Sequence, residues 1–208
     1  MSVEPEGIIR KEDSGEYTPL QQGTAVVSFQ LEETDNSFPA RADVEVRVLE
    51  LVAGGDYGTF HWDLDSTGNL LISGGDVTGI VQNYAPWNAY VDQIRSIEID
   101  TGVTSICDSA FMSLTQVEEI TLADTLTKIG AAAFNGCLQL QHIRIPESVE
   151  EIGSLAFTYC LSLEDITVAP ENRVYSSRDG VLYNKAQDTL LCFPGGKTGT
   201  FQVPDGVR

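Results

Sequence analysis

Basic residues are scarce in this chain. Lys and Arg total 12 against 31 Asp and Glu, a net charge of −19 over 208 residues. Phosphate binding needs a surplus of Lys and Arg to release counterions, so nucleic acid is excluded as the expected partner. Docking on an anionic lipid surface is disfavoured for the same reason. Histidine is scarcer still, with only His61 and His142, and no clustered metal-ligand pattern accompanies them. Of the four cysteines, Cys107, Cys137, Cys160 and Cys192, none forms C-x-x-C, which argues against a zinc ribbon or a thioredoxin-type site. Apolar runs are short. None approaches the roughly 18 residues needed to cross a bilayer, so no membrane insertion is expected. The N-terminal stretch MSVEPEGIIRKEDSGEY carries acids where a signal peptide has a basic region, and no apolar core follows it. What remains is 42% hydrophobic and 21% charged, the composition of a folded chain.

The main signal is an internal repeat. VTSICDSAFMSLTQVEEITLADT begins at Val103, LTKIGAAAFNGCLQLQHIRIPES at Leu126 and VEEIGSLAFTYCLSLEDITVAPE at Val149, with starts 23 residues apart. Seven columns are apolar in all three units. They include Ile106/Ile129/Ile152, Phe111/Phe134/Phe157 and Ile120/Ile143/Ile166. An eighth holds Leu114, Cys137 and Cys160. The register extends upstream to Ile94, Ile97 and Ile99. Downstream, Phe201-Gln202-Val203-Pro204 replays Ile143-Arg144-Ile145-Pro146 after an insert containing Asp179-Gly180, a hairpin signal.

A 23-residue unit is too short to bury its own core, so stacked units must bury one another. The apolar-x-apolar triplet Ile120-Thr121-Leu122 and its equivalents predict short strands, paired in parallel from unit to unit. The Ala-Phe segment predicts a short helical or 3₁₀ turn on the opposite face. The expected fold is a solenoid of short parallel strands and short helical turns, preceded by a small β-rich region. Gly130 and Gly153 follow the ladder isoleucines where the first unit has Cys107. Either positive φ is not required there, or the first unit bends differently.

Residues 1–19 are polar and expected to be flexible. In residues 20–57 the stretches Ala25–Leu31 and Val44–Leu49 alternate and predict two strands. They are joined by an acidic linker at about Glu32–Ala42, and they form a cap for the solenoid or a separate module. Two motif fragments fall away on inspection. Gly196-Lys197-Thr198 lacks the earlier glycine of a phosphate loop, its place taken by Leu191, and no helical pattern follows. Asp63-x-Asp65-x-Thr67-Gly68 resembles a calcium loop, but its twelfth position is Gly74, so a β-turn is the better account. No metal or other cofactor is expected. The cysteines read as buried thiols. Cys137 and Cys160 occupy equal places in adjacent units, and their pairing would require Cα atoms within about 7 Å.

The pattern I-G-x-x-A-F-x-x-C-x-x-L-x-x-I-x-I-P-x-S-V at Ile129–Val149 resembles the BspA-type leucine-rich repeat. D-G-V-L-Y-N-K and F-P-G-G-K-x-G-x-F-x-V-P-D-G-V, within and after the insert at about 172–196, resemble that family's hairpin unit. Trp62-Asp63-Leu64-Asp65 and Gly68–Gly74 resemble the hairpin that precedes such arrays. The resemblance therefore spans residues 58–208, with a hairpin cap at 58–93 and repeats at 94–208. It implies a leucine-rich-repeat solenoid, an extracellular or cell-surface location, and binding or adhesion without catalysis. It implies no catalytic residues. Gly206-Val207 stands where Gly102-Val103 opens a unit, so a longer parent protein is expected, and an uncapped end would permit self-association.

The outward face of the strand ribbon is the expected binding site. Its rows are Ser96, Glu98 and Asp100; Glu119, Thr121 and Ala123; His142, Arg144 and Pro146; and Asp165, Thr167 and Ala169. The residues singled out are Glu98, Asp100, Glu119, Thr121, His142, Arg144, Asp165 and Thr167. The partner is expected to be a protein or a glycan. The alternatives are a structural spacer, or an ancillary module of a larger secreted protein such as a glycan-degrading enzyme.

Overall fold

A computed structural model describes residues 2–4, 9–11, 17–19, 23–30, 41–80 and 84–208. The chain divides into two units, residues 1–51 and 52–208.

In the first unit the described strands are β1 (Ser2–Glu4), β2 (Ile9–Lys11), β3 (Tyr17–Pro19), β4 (Gly23–Gln30) and β5 (Arg41–Val48). β1 and β5 flank β4, and both pair with it antiparallel. β2 and β3 form a hairpin. The two strands expected in residues 20–57 correspond to β4 and β5. Strands also stand in residues 1–19, where flexibility was expected. The acidic linker lies outside the described residues, apart from its last two positions, Arg41 and Ala42, which open β5.

The second unit begins one residue into β6 (Leu51–Tyr57) and continues with β7 (Phe60–Asp65) and β8 (Asn69–Ser73). In β7 and β8 alternate residues are buried, so Trp62 and Ile72 pair on the inner face. The turn between them is closed by Asp65. One of its carboxylate oxygens accepts from Thr67 N (2.8 Å), Thr67 Oγ1 (2.6 Å) and Asn69 N (3.1 Å). That oxygen is spent on an Asx turn, which is why the calcium-like spacing occurs here.

A 3₁₀ turn at Asn88–Tyr90 leads into the repeat. Its strands are β9 (Ser96–Ile99), β10 (Ser105–Ile106), β11 (Glu119–Thr121), β12 (Lys128–Ile129), β13 (His142–Ile145), β14 (Glu151–Ile152) and β15 (Asp165–Val168). β8 pairs in parallel with β9, and the 23-residue step then joins β9 to β11 and β13 to β15. A second parallel ladder, β10-β12-β14, runs on the isoleucine column.

The Ala-Phe segments form single turns closed by three-residue bonds such as Met112 N to Ser109 O and Asn135 N to Ala132 O. They do not extend into helices. Each carries two left-handed residues four apart: Ser109 and Ser113, Ala132 and Gly136, Leu155 and Tyr159. In this conformation alternate main-chain groups point along the stack. Ser109, Phe111 and Ser113 donate to the carbonyls of Ala131, Ala133 and Asn135. Ala132, Phe134 and Gly136 donate to those of Ser154, Ala156 and Thr158. The turn face is thus stitched coil to coil by main-chain bonds.

Inside, the Phe column is a continuous stack. Trp87, Phe111, Phe134 and Phe157 lie at centroid separations of 5.1, 5.5 and 5.9 Å with nearly parallel rings. Burial of each ring contributes about 1.5–3 kcal/mol. Phe60 and Trp62 pack on Trp87 and close the stack at its start. Cys137 and Cys160 are free thiols, donating to the carbonyls of Phe111 (3.5 Å) and Phe134 (3.3 Å). Burial pushes the Cys160 thiol up to about 11 and raises that of Cys137 as well. The ladder glycines are explained by close approach, not by positive φ. A Cβ on Gly130 would collide with the main chain of Cys107 and Asp108, and one on Gly153 with that of Ala131.

The insert forms an antiparallel sheet of β16 (Tyr175–Arg178), β17 (Val181–Asn184) and β18 (Leu190–Cys192). It covers the end of the strand faces. Ile166 N donates to Gly180 O, and the Tyr175 hydroxyl accepts from Ile152 N (2.8 Å). Buried Asn172 donates to the carbonyls of Pro146 and Val149 and accepts from Val174 N and Tyr175 N. Phe201–Pro204, which mimics a repeat strand in sequence, forms none. Phe201 packs on Phe193, and Arg208 exchanges main-chain bonds with Asp188 and Leu190.

Candidate binding site on the ribbon

The period-2 alternation of the repeat strands turns every second side chain outward. Glu98, Glu119, Thr121, His142, Arg144 and Thr167 are exposed, and Asp165 is half-buried. In-register pairing places Glu119 beside Ser96, Thr121 beside Glu98, Asp165 beside His142 and Thr167 beside Arg144.

The third position of each row departs from expectation. Ala123, Pro146 and Ala169 are buried, while Leu122 and Val168 are only half-buried. The chain turns immediately after the triplet, with Leu126 N on Ala123 O, Val149 N on Pro146 O and Asn172 N on Ala169 O. The turn rotates its first residue inward, and a small or ring-closed side chain fits there. Asp100 occupies the same place in the first row. It is exposed but lies beyond the end of β9 and bonds to Thr101 N (2.7 Å). It is a turn residue rather than part of the ribbon.

The ribbon is not continuous. β11 belongs to the sheet that begins with β6, β13 pairs only with β15, and β11 and β13 share no ladder. A groove of about 510 Å³ lies along this parting, with Ile120 and Ile143 in its lining. It gathers five predicted residues, Glu119, His142, Arg144, Asp165 and Thr167. Glu98 and Thr121 stand one strand pair away, and Glu98 accepts from Asn69 Nδ2 (3.3 Å). Glu118 and Gln141 also line the groove and were not singled out from sequence. Unit-to-unit main-chain bonds continue one residue before β11 and β15, as Glu118 N to Arg95 O and Glu164 N to Gln141 O show. The column Arg95/Glu118/Gln141/Glu164 was the signal that could have found them.

Electrostatically the groove holds charge of both signs. Glu119, His142, Arg144 and Asp165 form no side-chain hydrogen bond or ion pair with other described residues. Some charged groups elsewhere are engaged. Lys128 pairs with Glu151 (2.9 Å), and His61 contacts Asp56 (2.7 Å) and Asp63 (3.2 Å). Among the described residues no three His, Cys, Asp or Glu side chains converge as metal ligands. No helix among them is long and apolar enough to cross a membrane.

Comparison with known proteins matches this architecture. The family model for the BspA type leucine rich repeat region matches residues 87–191 in six copies. A leucine-rich repeat protein from Eubacterium ventriosum is 26% identical over 73% of this chain and 53% of its own, with a TM-score of 0.46. The pneumococcal vaccine antigen PcpA is 16% identical over 76% of this chain and 60% of its own, at 0.43. A leucine rich cell surface protein from Faecalibacterium prausnitzii is 17% identical over 74% and 65%, at 0.37. The chain spans between half and two thirds of the length of these three proteins. No curated protein matches it. With half its residues, 87–191, under the family model and a 23-residue coil seen directly, the chain belongs to the BspA-type leucine-rich-repeat family.

Proposed function

We propose that this chain is a non-catalytic binding module of a bacterial cell-surface protein, with the ribbon groove as its contact face for a protein or glycan. The observation that carries the reading is the parting of the ribbon between β11 and β13. There, charges of both signs that are not committed to one another line a groove floored by Ile120 and Ile143. Repeat solenoids characteristically present such extended faces to partners. Membership of a family that resembles bacterial surface proteins supports the location. His142, the imidazole of the groove, has no hydrogen-bonded acid or nucleophile among the described residues, the two partners that a Ser-His-acid triad requires.

The test is a binding screen at physiological salt against immobilised extracellular-matrix proteins, mucin and a glycan panel. A variant carrying Glu98, Thr121, Arg144 and Thr167 changed to Ala is run in parallel. Saturable binding that the variant loses is the expected result. Absence of binding by a chain whose circular dichroism is intact overturns the reading in favour of a spacer.

A further inference from the structure

The charges across the ribbon groove alternate in sign. Glu118 and Glu119 stand at the start of β11, Arg144 on β13 and Asp165 on β15. A fourth step, Lys197, comes from the segment that follows the insert sheet. That segment is fixed to the third coil. Gly196 N donates to Leu163 O (2.8 Å), and a Cβ on Gly196 would collide with the main chain of Ser162.

Asp165 and Lys197 meet over the turn between β16 and β17. This turn is Asp179-Gly180, both left-handed at φ 51° and 73°, as a two-residue hairpin requires. The Asp165 carboxylate lies against the bare Cα of Gly180, where a Cβ would collide with Oδ1, and Lys197 Nζ stands 3.2 Å from the same Cβ position. Both side chains are half-buried. They form no ion pair with each other or with other described residues. They are too far apart to touch and near enough to share one bridging oxygen.

A ligand charged with one sign would meet a like charge at every second step across this face. A hydroxyl would not, because it accepts from an ammonium or guanidinium and donates to a carboxylate. Ile120 and Ile143 supply a small apolar floor for the C–H face of a sugar ring. The net charge of −19 selects against sialylated, uronic or sulfated chains. Building on the ribbon reading, we infer that the groove and the insert together form a subsite for a neutral glycan. Asp165 and Lys197 hold one hydroxyl between them, and Gly180 is the positioning residue that admits the Asp165 carboxylate. The insert is then part of the contact face as well as a cover for the strands.

The probe is a panel of immobilised neutral oligosaccharides, run beside sialylated and sulfated ones and beside the matrix proteins. The full chain is compared with Lys197→Met, Gly180→Ala and Lys128→Met. Saturable binding to a neutral glycan is expected, and raised salt should leave it unchanged because the ligand carries no charge. Lys197→Met and Gly180→Ala should each weaken it roughly tenfold, as loss of a hydrogen bond to a charged group does. Lys128→Met, which removes an ammonium paired with Glu151 on the other ladder, should leave it unchanged. Where circular dichroism shows that Gly180→Ala disturbs the fold, Lys197→Met alone decides. Neutral-glycan binding that is indifferent to Lys197→Met, or that falls steeply with salt, overturns the subsite. Binding confined to a matrix protein and lost in the fourfold ribbon variant overturns the glycan and leaves the ribbon reading standing. Binding to nothing overturns both.

Discussion

The same coils present two faces that obey different rules. On the inside, most columns repeat one kind of side chain, as the phenylalanine and isoleucine columns do. On the ribbon, consecutive coils carry Glu119, His142 and Asp165 in one column and Thr121, Arg144 and Thr167 in the next. Stacking dictates the first set and is indifferent to the second. The difference teaches where selection acts for fold and where it is free to act for contact. A change inside should cost stability without touching binding, and a change on the ribbon should do the reverse.

The largest break in that comparison comes from Phe134→Ala, which removes a ring stacked on both sides and should cost roughly 3–5 kcal/mol. Phe157→Ala should cost less, because its ring stacks on another ring, that of Phe134, on one side only. Urea midpoints of the two variants check the order. Equal losses would mean that the stack contributes nothing beyond individual burial. Asn172→Ala comes next. It leaves the carbonyls of Pro146 and Val149 and the amides of Val174 and Tyr175 without their side-chain partner. Each buried group left unsatisfied costs about 1–3 kcal/mol. The same urea titration should show a clear loss, with no change in the affinity of any ribbon ligand.

Legibility in the sequence follows the same division. The 23-residue step, the aromatic and isoleucine columns and the strand triplets were readable because like residues must stack on like. Gly130 and Gly153 were visible as columns, but their cause was not. Close approach to the preceding coil's backbone is a contact across units, and no local pattern encodes it. The inward rotation of Ala123, Pro146 and Ala169 was missed because strict alternation was carried one residue past the end of each strand. Phe201–Pro204 shows the converse. It matches the strand pattern, yet the insert sheet already occupies the edge it would need. For the candidate site, the outward residues were readable from alternation. The parting between β11 and β13 was not, since the apolar columns, such as Ile120 and Ile143, run through it without a change of residue type.

Smaller effects belong to the polar side. Changing Glu98, Thr121, Arg144 and Thr167 together to Ala should shift folding stability by only about 0.5 kcal/mol per site or less, as for exposed positions without special contacts. A thermal melt far outside that range would place these residues in the framework and not in a contact face. The smallest effect is the titration of His61, on the polar face of β7. Its Nδ1 is 2.7 Å from Asp56 Oδ1 and its Nε2 is 3.2 Å from Asp63 Oδ1. The bond to Asp56 is the main cause that raises its pKa above the ordinary 6.5, with Asp63 adding to it and desolvation opposing. A folded value above the unfolded one means that the contribution is complete below pH 6.5 and is lost as pH rises through the folded pKa. At so exposed a site the contribution is strongly screened, so the titration and not the stability is the useful readout. The imidazole resonances should report a midpoint above 6.5 that falls towards it in Asp56→Asn and moves less in Asp63→Asn. A midpoint at or below 6.5 in the unaltered chain would show that the two carboxylates do not hold the imidazolium.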